Sequence, residues 1–476
     1  PAGSAKTVFA AHFLAAGIER GEPGVFVTFE ESPAEIRRNM LGLGWNIKRW
    51  EDEGKWAFVD AAPDPGIELV TVGQFDFGAL LARIEHAVQR VKATRVSVDS
   101  LGSVFSQFED ASCVRRELYR VASALRVLST TAVLTIERDA EYGDISRHGV
   151  EEFVADNVII LRNVLECEKR RRTLEVLKFR GTQHQRGEWP FTVVPNVGVV
   201  LIPLSSVELK QRSSNIRISS GNAELDAICG GGFFRDSVIL VSGATGTGKT
   251  LTSSHFINGG AERGERSLLI AFEESRDQLF RNAAGWGMDF ESLEQKGLLR
   301  VVCAYPESAA LEDHVIHMKD EIARFKPQRV AVDSLSALER VSTTRGFREC
   351  VIGMTSFIKE QEICGLFTAT TPTLLGGSSV TEMHVSTITD SIILLRYVEV
   401  FGEMRRGLTV LKMRGSRHDK EIREFTIDEE GMHIGRPFRN ISGILSGNFT
   451  HVAAPEMDRV SALFREESGA SEPAKS

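Results

Sequence analysis

The sequence has few cysteines and no two of them in a C-x-x-C arrangement. The six lie scattered along 476 residues, at Cys113, Cys167, Cys229, Cys303, Cys350 and Cys364. This spacing suits neither a structural zinc site nor a disulfide framework, and it favours reduced thiols with structural roles. We therefore expect a cytoplasmic protein.

Long apolar runs and a strong excess of one charge are also missing. No run of about 18 uncharged apolar residues is present, so no membrane segment is predicted. The 57 basic and 65 acidic residues give a formal charge of −8, which argues against nucleic acid as the main partner. The length exceeds what one core accommodates and predicts two or three domains.

One complete phosphate-binding loop is present, because residues 243–250 read G-A-T-G-T-G-K-T after the apolar run V-I-L-V. The pattern predicts a strand, a loop and a helix start. Backbone N–H groups would surround phosphate oxygens, Lys249 would reach the β and γ phosphates, and the Thr250 hydroxyl would join a magnesium shell. The predicted contacts to ATP are Thr245, Gly246, Thr247, Gly248, Lys249, Thr250 and Leu251.

An incomplete copy of the same loop opens the chain as P-A-G-S-A-K-T. Its first glycine is missing, so we expect a preceding segment with a strand to be absent from this sequence. Ala5 stands where Gly248 stands in the other copy. The helical propensity of alanine suits a first helical turn, although its Cβ narrows the space near the phosphates. The predicted contacts here are Gly3, Ser4, Ala5, Lys6 and Thr7.

The two loops belong to an internal repeat. Lys6 and Lys249 are 243 positions apart, and so are the doublets Glu30-Glu31 and Glu273-Glu274. The later pairs are 234 positions apart, namely Asp99 with Asp333, Arg180 with Arg414 and His184 with His418. The change in spacing predicts an insertion in the first copy, near residues 68–77. We predict domains at 1–203 and 217–440, a linker at 204–216 and a tail at 441–476.

Each half alternates short β-branched runs with helical stretches. This alternation predicts an α/β fold in which a mostly parallel, twisted sheet is flanked by helices. Ligands of such sheets bind beyond the carboxyl ends of the strands. Asp99 and Asp333 end two apolar strands there. A strand-end aspartate alone is usually a turn residue, but beside a phosphate loop in both halves the magnesium role is favoured.

The glutamate doublets follow two further apolar strands. A carboxylate there could polarise the water or hydroxyl that attacks the γ phosphate. The alternative is a favourable acidic residue near a helix N-terminus. The two interpretations have equal weight for Glu31 and Glu274, and the catalytic one is favoured for Glu30 and Glu273.

Two cations at alternating positions close a strand in each half, Lys178 with Arg180 and Lys412 with Arg414. Alternation places both members on one sheet face. They could be solvated edge charges, or they could reach a neighbouring subunit's γ phosphate as arginine fingers. The basic run 169–172 is predicted to be a solvated turn.

With these motifs in place, the sequence resembles the KaiC family of circadian clock ATPases and autokinases, within the RecA/DnaB-like superfamily. The resemblance runs from residue 1 to about residue 445 and is especially close at 229–250, 303–308, 381–395 and 412–420. It implies two tandem RecA-like domains stacked as a double ring in a homohexamer, with ATP between subunits. It also implies nucleotide contacts near His184 and His418.

The resemblance assigns the family's paired phosphorylation sites to Ser386 and Thr387. The internal repeat places Glu152 and Phe153 opposite them, so only the second half offers hydroxyl groups. Without the resemblance, a Ser-Thr pair before a strand is usually a cap or turn. By the same matching, Glu273 would be the base that activates these hydroxyls and would lie near the magnesium held by Thr250 and Asp333. In the first half, Lys6, Thr7, Glu30 and Asp99 match the set that splits water, with Thr7 and Asp99 at the metal.

Partners are inferred from the same resemblance. Residues 72–84 resemble the surface on which KaiB docks, so we expect a KaiB-like partner. The segment from about residue 446 differs from the tail on which the activator KaiA acts, so a KaiA-like partner is left open. The rival functions are a RecA- or DnaB-type motor on DNA and a non-catalytic scaffold that needs ATP only for assembly. No convincing basic, glycine-rich DNA loop supports the motor.

Overall fold

The computed structural model describes residues 3–62, 77–105, 111–138, 140–145, 151–166, 169–202, 213–371, 388–439, 441–442, 444 and 450–451. The chain divides into two compact units, Pro1–Pro203 and Leu204–Ser476, called unit 1 and unit 2 below. Most of the predicted linker, insertion and tail lies outside the described residues, so their boundaries stay predictions.

Unit 1 begins with the helix that follows the incomplete phosphate loop. Its first part contains α1 (Lys6–Glu19), β1 (Gly24–Thr28), α2 (Pro33–Leu41), α3 (Ile47–Asp52), β2 (Trp56–Asp60), α4 (Phe77–Val91), β3 (Arg95–Asp99), α5 (Leu101–Phe105), α6 (Ala111–Val127) and β4 (Thr131–Leu134). Its second part contains α7 (Glu151–Val154), β5 (Asn157–Glu166), β6 (Lys169–Phe179), β7 (Glu188–Val194) and β8 (Gly198–Leu201). The first part forms a parallel sheet in the order β2-β1-β3-β4, and the second forms an antiparallel sheet in the order β5-β6-β7-β8.

Unit 2 repeats this order with a strand before its loop. It opens with β9 (Arg217–Ile218), α8 (Ala223–Ile228), β10 (Phe233–Phe234), β11 (Val238–Gly243), α9 (Lys249–Ala261), β12 (Ser267–Phe272), α10 (Arg276–Gly285), α11 (Phe290–Gln295) and β13 (Leu299–Ala304). After a 3₁₀ turn at Pro306–Ser308 follow α12 (Leu311–Phe325), β14 (Arg329–Asp333), α13 (Leu335–Glu339), α14 (Thr344–Glu360) and β15 (Cys364–Thr370). It closes with β16 (Ser391–Val400), β17 (Glu403–Met413), β18 (Arg423–Asp428), β19 (Gly431–Pro437), β20 (Ile441–Ser442) and β21 (Thr450–His451).

The main sheet of unit 2 has nine strands in the order β13-β12-β14-β15-β11-β16-β17-β18-β19. The first six are parallel, and the last three continue the sheet in antiparallel pairs. Every residue of β11 and β12 is buried, because helices cover both faces of the sheet. The predicted α/β class with mostly parallel sheets flanked by helices is confirmed.

The helix after each glutamate doublet starts at the same kind of cap. Ser32 and Glu35 form a capping box at α2, and Ser275 and Gln278 form one at α10. Each box satisfies backbone N–H groups that the first helical turn leaves without partners. The chain direction immediately after each doublet is therefore held by local hydrogen bonds.

A partly buried histidine lies on the helix after each phosphate loop. The backbone N–H of Val199 donates to His12 Nδ1 at 3.2 Å, and that of Met432 donates to His255 Nε2 at 3.2 Å. Burial lowers the pKa of His12, and it lowers the pKa of His255 to about 4. Both rings therefore accept a backbone hydrogen bond in their neutral form.

The described cysteines are free thiols. Burial raises the pKa of Cys229, Cys350 and Cys364 to about 12, so these thiols are protonated and unreactive. The prediction for residues 169–172 is wrong, because they open β6 and pair with β5. The four charged side chains are typical of a solvated turn, but the ten-pair antiparallel ladder between β5 and β6 includes this run.

Candidate functional site

The carboxyl ends of neighbouring parallel strands meet in each unit. Thr28 on β1 pairs with Asp99 on β3, which brings the first doublet beside this aspartate. Ala271 on β12 likewise pairs with Asp333 on β14, and Gly243 at the end of β11 pairs with Thr370. The predicted phosphate loop, doublet and aspartate of each half thus lie at one edge of its parallel sheet.

The loop of unit 2 has the backbone that a phosphate cradle requires. Gly246 and Gly248 have φ values of 79° and 101°, in the left-handed region that glycine adopts most readily. A Cβ on Gly246 would lie 2.7 Å from the Tyr397 hydroxyl. Thr247 is fully buried, and its hydroxyl donates to the Ala244 carbonyl at 2.7 Å. Thr245 is exposed on the outer side of the loop.

Lys249 lies at the first position of α9 and is only 8% exposed. Its Nζ donates to the Ala244 carbonyl at 2.9 Å. Burial lowers the pKa of Lys249, while the carboxylates of Asp333 and Glu273 raise it. An ammonium group has three donors, so this lysine can hold the loop closed and still contact a phosphate.

The doublet of unit 2 has two different environments. Thr250 Oγ1 donates to Glu274 Oε1 at 3.4 Å, and Asn282 Nδ2 lies 3.5 Å from Glu274 Oε2. Burial and then Asp333 raise the pKa of Glu274. Glu273 has a φ of 81° and pairs with the guanidinium of Arg340. Both carboxylates therefore lie beside the loop, one toward Thr250 and the other toward a cation.

The two strand-end aspartates have matching environments. Asp333 accepts a hydrogen bond from Thr368 Oγ1, and Asp99 accepts one from Thr135 Oγ1. Both aspartates are 8% exposed. The peptide bond after each is cis. Only one oxygen of each carboxylate accepts the threonine hydrogen bond, so the other could bind a metal or its bound water.

The first phosphate loop has a left-handed residue at Ala5, with φ 63° and ψ 33°. The expectation that Ala5 joins the first helical turn is therefore wrong, since it is the residue before the helix and keeps the loop conformation. Gly3 has a φ of 74°, and a Cβ there would lie 2.7 Å from Asn163 Nδ2. Ser4 is buried, whereas Thr7 is partly exposed in the first turn of α1.

Lys6 has a partner that the sequence did not reveal. Its Nζ lies 2.9 Å from Glu137 Oε1, with the lysine side chain 18% and the glutamate side chain 55% exposed. Burial raises the pKa of Glu30, Glu137 and Asp99 raise it further, and Lys6 lowers it. Glu31 instead accepts from Asn39 Nδ2 at 3.2 Å. Lys6 is thus the cation in a group of three carboxylates.

The paired cations are anchored identically in both units. Lys178 Nζ donates to the Ala155 carbonyl at 2.7 Å, and Lys412 Nζ donates to the Thr389 carbonyl at 2.7 Å. The following arginines are exposed and lie 3.3 and 3.7 Å from an aspartate, Arg180 from Asp156 and Arg414 from Asp390. Burial lowers the pKa of Lys412. Each lysine is held by its own unit, while each arginine faces solvent.

Asp390 is the more tightly bound of these two aspartates. It is 16% exposed, whereas Asp156 is 56% exposed. Asp390 accepts from Lys359 Nζ at 2.8 Å and from the backbone N–H of Val238 at 2.9 Å. This carboxylate connects the end of α14 to the first residue of β11.

Five predicted residues have less direct support from the geometry. Leu251 has its side chain in the hydrophobic core, so only its backbone could contact a nucleotide. His184 and His418 are partly buried, and Nδ1 of His418 is buried without a hydrogen-bond partner. The hydroxyl pair Ser386 and Thr387 lies outside the described residues.

Three further residues contact the site and were not predicted from the sequence. Glu137 follows β4 and binds Lys6, and Arg340 binds Glu273. Arg172 Nε donates to the Gly3 carbonyl at 3.1 Å. Only Glu137 had an available signal, since it follows the apolar and β-branched run T-A-V-L-T-I. The other contacts depend on folded segments distant in sequence.

These geometries define the class of the protein: each unit is a RecA-like nucleotide-binding unit with a phosphate loop, a glutamate doublet and a strand-end aspartate. The family model described as the KaiC ATPase matches residues 1–206 and 218–438. The chain belongs to the KaiC family, and it is accordingly a nucleotide-binding ATPase.

Similar proteins cover nearly the whole chain. The circadian clock protein KaiC3 of Synechocystis sp. is 65% identical over 465 residues, which cover 98% of this chain and 92% of that protein. The circadian clock oscillator protein KaiC of Thermosynechococcus vestitus is 56% identical over 462 residues, covering 97% and 89%. That of Synechococcus elongatus is 54% identical over 464 residues, covering 97% and 89%.

The part of the chain that the structure describes contains neither a membrane-spanning helix nor a cluster of metal ligands. No described helix is both long and apolar enough to cross a membrane. No group of three or more His, Cys, Asp or Glu side chains in the described ranges could hold a metal ion.

Proposed function

We propose that the chain is a KaiC-like clock protein that hydrolyses ATP and phosphorylates and dephosphorylates itself at Ser386 and Thr387. It would form the core of a circadian or hourglass timekeeping system in the cytoplasm, together with a KaiB-like partner. The names of the similar proteins support the timekeeping role. The observation that carries the chemistry is the Lys249 loop beside Glu273, Glu274 and Asp333 at one sheet edge.

Magnesium fits the donor set of both units. In unit 2 it would be held by the Thr250 hydroxyl and by Asp333, with Glu273 beside it, and in unit 1 by Thr7 and Asp99. Hydroxyl and carboxylate oxygens are hard ligands that magnesium prefers, and it keeps several waters. Bound there, the ion would neutralise phosphate charge. Proximity of the proposed ligands Thr250 and Asp333 supports this site. Thr250 donates a hydrogen bond to Glu274, and Asp333 raises the pKa of the same glutamate.

In unit 2 the proposed reaction is phosphoryl transfer to a hydroxyl of this protein. The hydroxyl oxygen of Thr387 or Ser386 forms a bond to the γ phosphorus of ATP as the bond to the β–γ bridging oxygen breaks. The hydroxyl proton passes to the Glu273 carboxylate, and ADP is the leaving group. Lys249 would hold the phosphates. Each phosphate added brings about −1.5 to −2 charges, which is a physical basis for a switch.

In unit 1 the acceptor would be water, because the repeat offers Glu152 and Phe153 in place of the hydroxyl pair. Glu30 would take the proton of the attacking water. Its pKa is raised by burial and by neighbouring carboxylates, so its carboxylate is a stronger base than an ordinary glutamate. Glu31 and Glu274 would support the same proton transfers from the second position of each doublet.

We also propose that six copies assemble as a double ring with ATP between subunits. The anchored lysines and solvent-facing arginines support this arrangement. Lys178 and Lys412 would fix the strand ends, and Arg180 and Arg414 would reach the neighbouring subunit's γ phosphate. In such a ring His184 and His418 would lie near the nucleotide of the adjacent subunit.

The decisive experiment uses the full-length protein with magnesium and ATP, sampled over a day, with phosphopeptides mapped by mass spectrometry. We expect phosphate on Ser386 and Thr387 and a loss of about 10²- to 10⁴-fold in its rate in Glu273→Gln. Glu262→Gln, an exposed glutamate on the helical turn after α9, is the matched control and should leave the rate unchanged. ATP hydrolysis with both hydroxyls unmodified would contradict the proposal and favour a motor on DNA.

A further inference from the structure

The lysine of the first phosphate loop is already paired with a carboxylate of its own unit. Lys6 Nζ lies 2.9 Å from Glu137 Oε1. In unit 2 the equivalent Lys249 donates to the backbone carbonyl of Ala244 at 2.9 Å. A phosphate arriving at Lys249 therefore competes with a neutral carbonyl for the lysine hydrogen bond, whereas a phosphate arriving at Lys6 competes with a carboxylate.

The strand registers identify the counterpart of Glu137. Arg95 pairs with Thr131 in unit 1, and Arg329 pairs with Cys364 in unit 2. Glu137 lies six residues after Thr131, and Thr370 lies six residues after Cys364, so the two residues are equivalent. The first unit therefore carries a carboxylate where the second carries a hydroxyl.

A second position differs together with this one. A Cβ on Gly102 would lie 3.1 Å from Glu137 Cγ, so glycine leaves room for the glutamate. The equivalent residue of unit 2 is Ser336, whose Oγ accepts from the backbone N–H of Thr370 at 2.8 Å. The glycine–glutamate pair and the serine–threonine pair are thus two alternative ways of filling the same corner of the site.

Glu137 also acts on the proposed base. Among the neighbouring charges, Glu137 raises the pKa of Glu30 most, ahead of Asp99. With Lys6 as the cation beside Glu30, Asp99 and Glu137, the pocket carries excess negative charge before a triphosphate enters. Such a pocket binds an anion more weakly than one with a lysine free of ionic partners.

We infer that Glu137 is a competing counter-ion that weakens nucleotide binding at the first phosphate loop and makes its affinity lower than a carboxylate-free loop would have. Nucleotide binding releases Lys6 from Glu137 to the phosphates, and nucleotide release restores the pair. The inference rests on the proposed use of both loops for ATP. Glu137 acts on nucleotide binding through the position of the Lys6 ammonium group, so it is a positioning residue.

The test measures binding of a non-hydrolysable ATP analogue with magnesium by titration calorimetry. The full chain carries Lys249→Ala, so that only the first loop keeps its lysine. We expect Glu137→Gln to bind the analogue about two- to fivefold more tightly, which is the magnitude typical of exposed ion pairs. The gain should shrink at high salt, because screening weakens a half-exposed pair. Glu137→Asp keeps the charge and should show little gain.

Two further variants separate this role from general effects. Asp52→Asn removes the same charge from a distant exposed pair with Lys48 and should leave binding unchanged. Ser336→Gly/Thr370→Glu, placed in a chain with Lys6→Ala, transfers the carboxylate to unit 2 and should weaken binding there about two- to fivefold. Ser336→Gly alone should leave binding unchanged.

Equal or weaker binding by Glu137→Gln would overturn the inference while leaving the proposed function intact. If the Lys249→Ala chain and its Glu137 variants all failed to bind the analogue, although circular dichroism showed them folded, the use of the first loop for ATP would itself be wrong. The two failures are therefore distinguishable.

Discussion

Units 1 and 2 share the frame of their sites and differ in the charges around the loop lysine. In both, a threonine donates to the strand-end aspartate and a capping box follows the glutamate doublet. The lysine near the end of a later strand, Lys178 or Lys412, donates to a backbone carbonyl. Lys6 faces Glu137, whereas Lys249 is buried against the loop backbone. Duplicated sites can thus keep their hydrogen-bonded frame and diverge through single charged side chains.

The largest expected effect on this comparison comes from removing the solvent-facing arginines, Arg180 and Arg414, one at a time. Arg414→Ala should lower phosphorylation of Ser386 and Thr387 about 10³-fold, because a finger arginine stabilises charge on the transferring phosphoryl group. Arg180→Ala should lower ATP hydrolysis by unit 1 to a similar degree and spare the hydroxyls. Phosphopeptide mapping and phosphate release report the two reactions.

The control for these arginines is Arg405→Ala, on β17. This residue pairs with the exposed Glu403 and Glu424 and should change neither rate. If Arg414→Ala lowered both reactions equally, the two units would not act as separate catalysts.

The partly buried histidines His12 and His255 predict a loss of stability in acid. The folded pKa of His255 is about 4, below the unfolded value of about 6.5, so the unfolded chain binds the proton first as the pH falls. Stability should therefore be lost between pH 6.5 and 4, by about 3 kcal/mol for unit 2 at the acid end. The lowered pKa of His12 gives unit 1 a loss of the same sign.

Thermal unfolding of His255→Gln across this pH range checks the effect. Gln can still accept the Met432 hydrogen bond but does not titrate, so the acid sensitivity of unit 2 should flatten. His86→Gln replaces an exposed histidine and should leave the pH dependence as it is. An unchanged slope in His255→Gln would show that other groups set the acid response.

The smallest expected effect concerns the residue before each loop lysine. Ala5 is left-handed at φ 63° and Gly248 is left-handed at φ 101°. Ala5→Gly should stabilise unit 1 by about 1 kcal/mol, since a side chain in this region is costly. Gly248→Ala should destabilise unit 2 by at least as much, because its Cβ would also approach Ile427 Cδ1 at 3.1 Å.

Denaturant unfolding of the two swaps measures these differences. Ala16→Gly, in the interior of α1, tests glycine at an ordinary helical position and should destabilise by about 1 kcal/mol. A loss of stability in Ala5→Gly would contradict the left-handed assignment.

The sequence predicted those parts of the site that local pattern and the repeat determine. The Lys249 loop, Asp99, Asp333 and both doublets each follow an apolar strand, and parallel strands bring such ends together. Contacts between distant segments were not predicted. Lys6 and Glu137 are 131 positions apart, and no spacing rule connects Arg340 with Glu273. The conformation of Ala5 was also missed, because propensity favours a helix where the loop imposes a left-handed residue.

The carboxylate of Asp390 has a consequence for the alignment of the central strand of unit 2. It is hydrogen-bonded to the backbone N–H of Val238, the first residue of β11, and is tied to Lys359 on α14. A slip of β11 by one residue would break this bond and turn every side chain of the strand to the opposite face. Asp390 therefore helps to fix the register of β11 in the sheet, and with it the position of the phosphate loop that follows this strand.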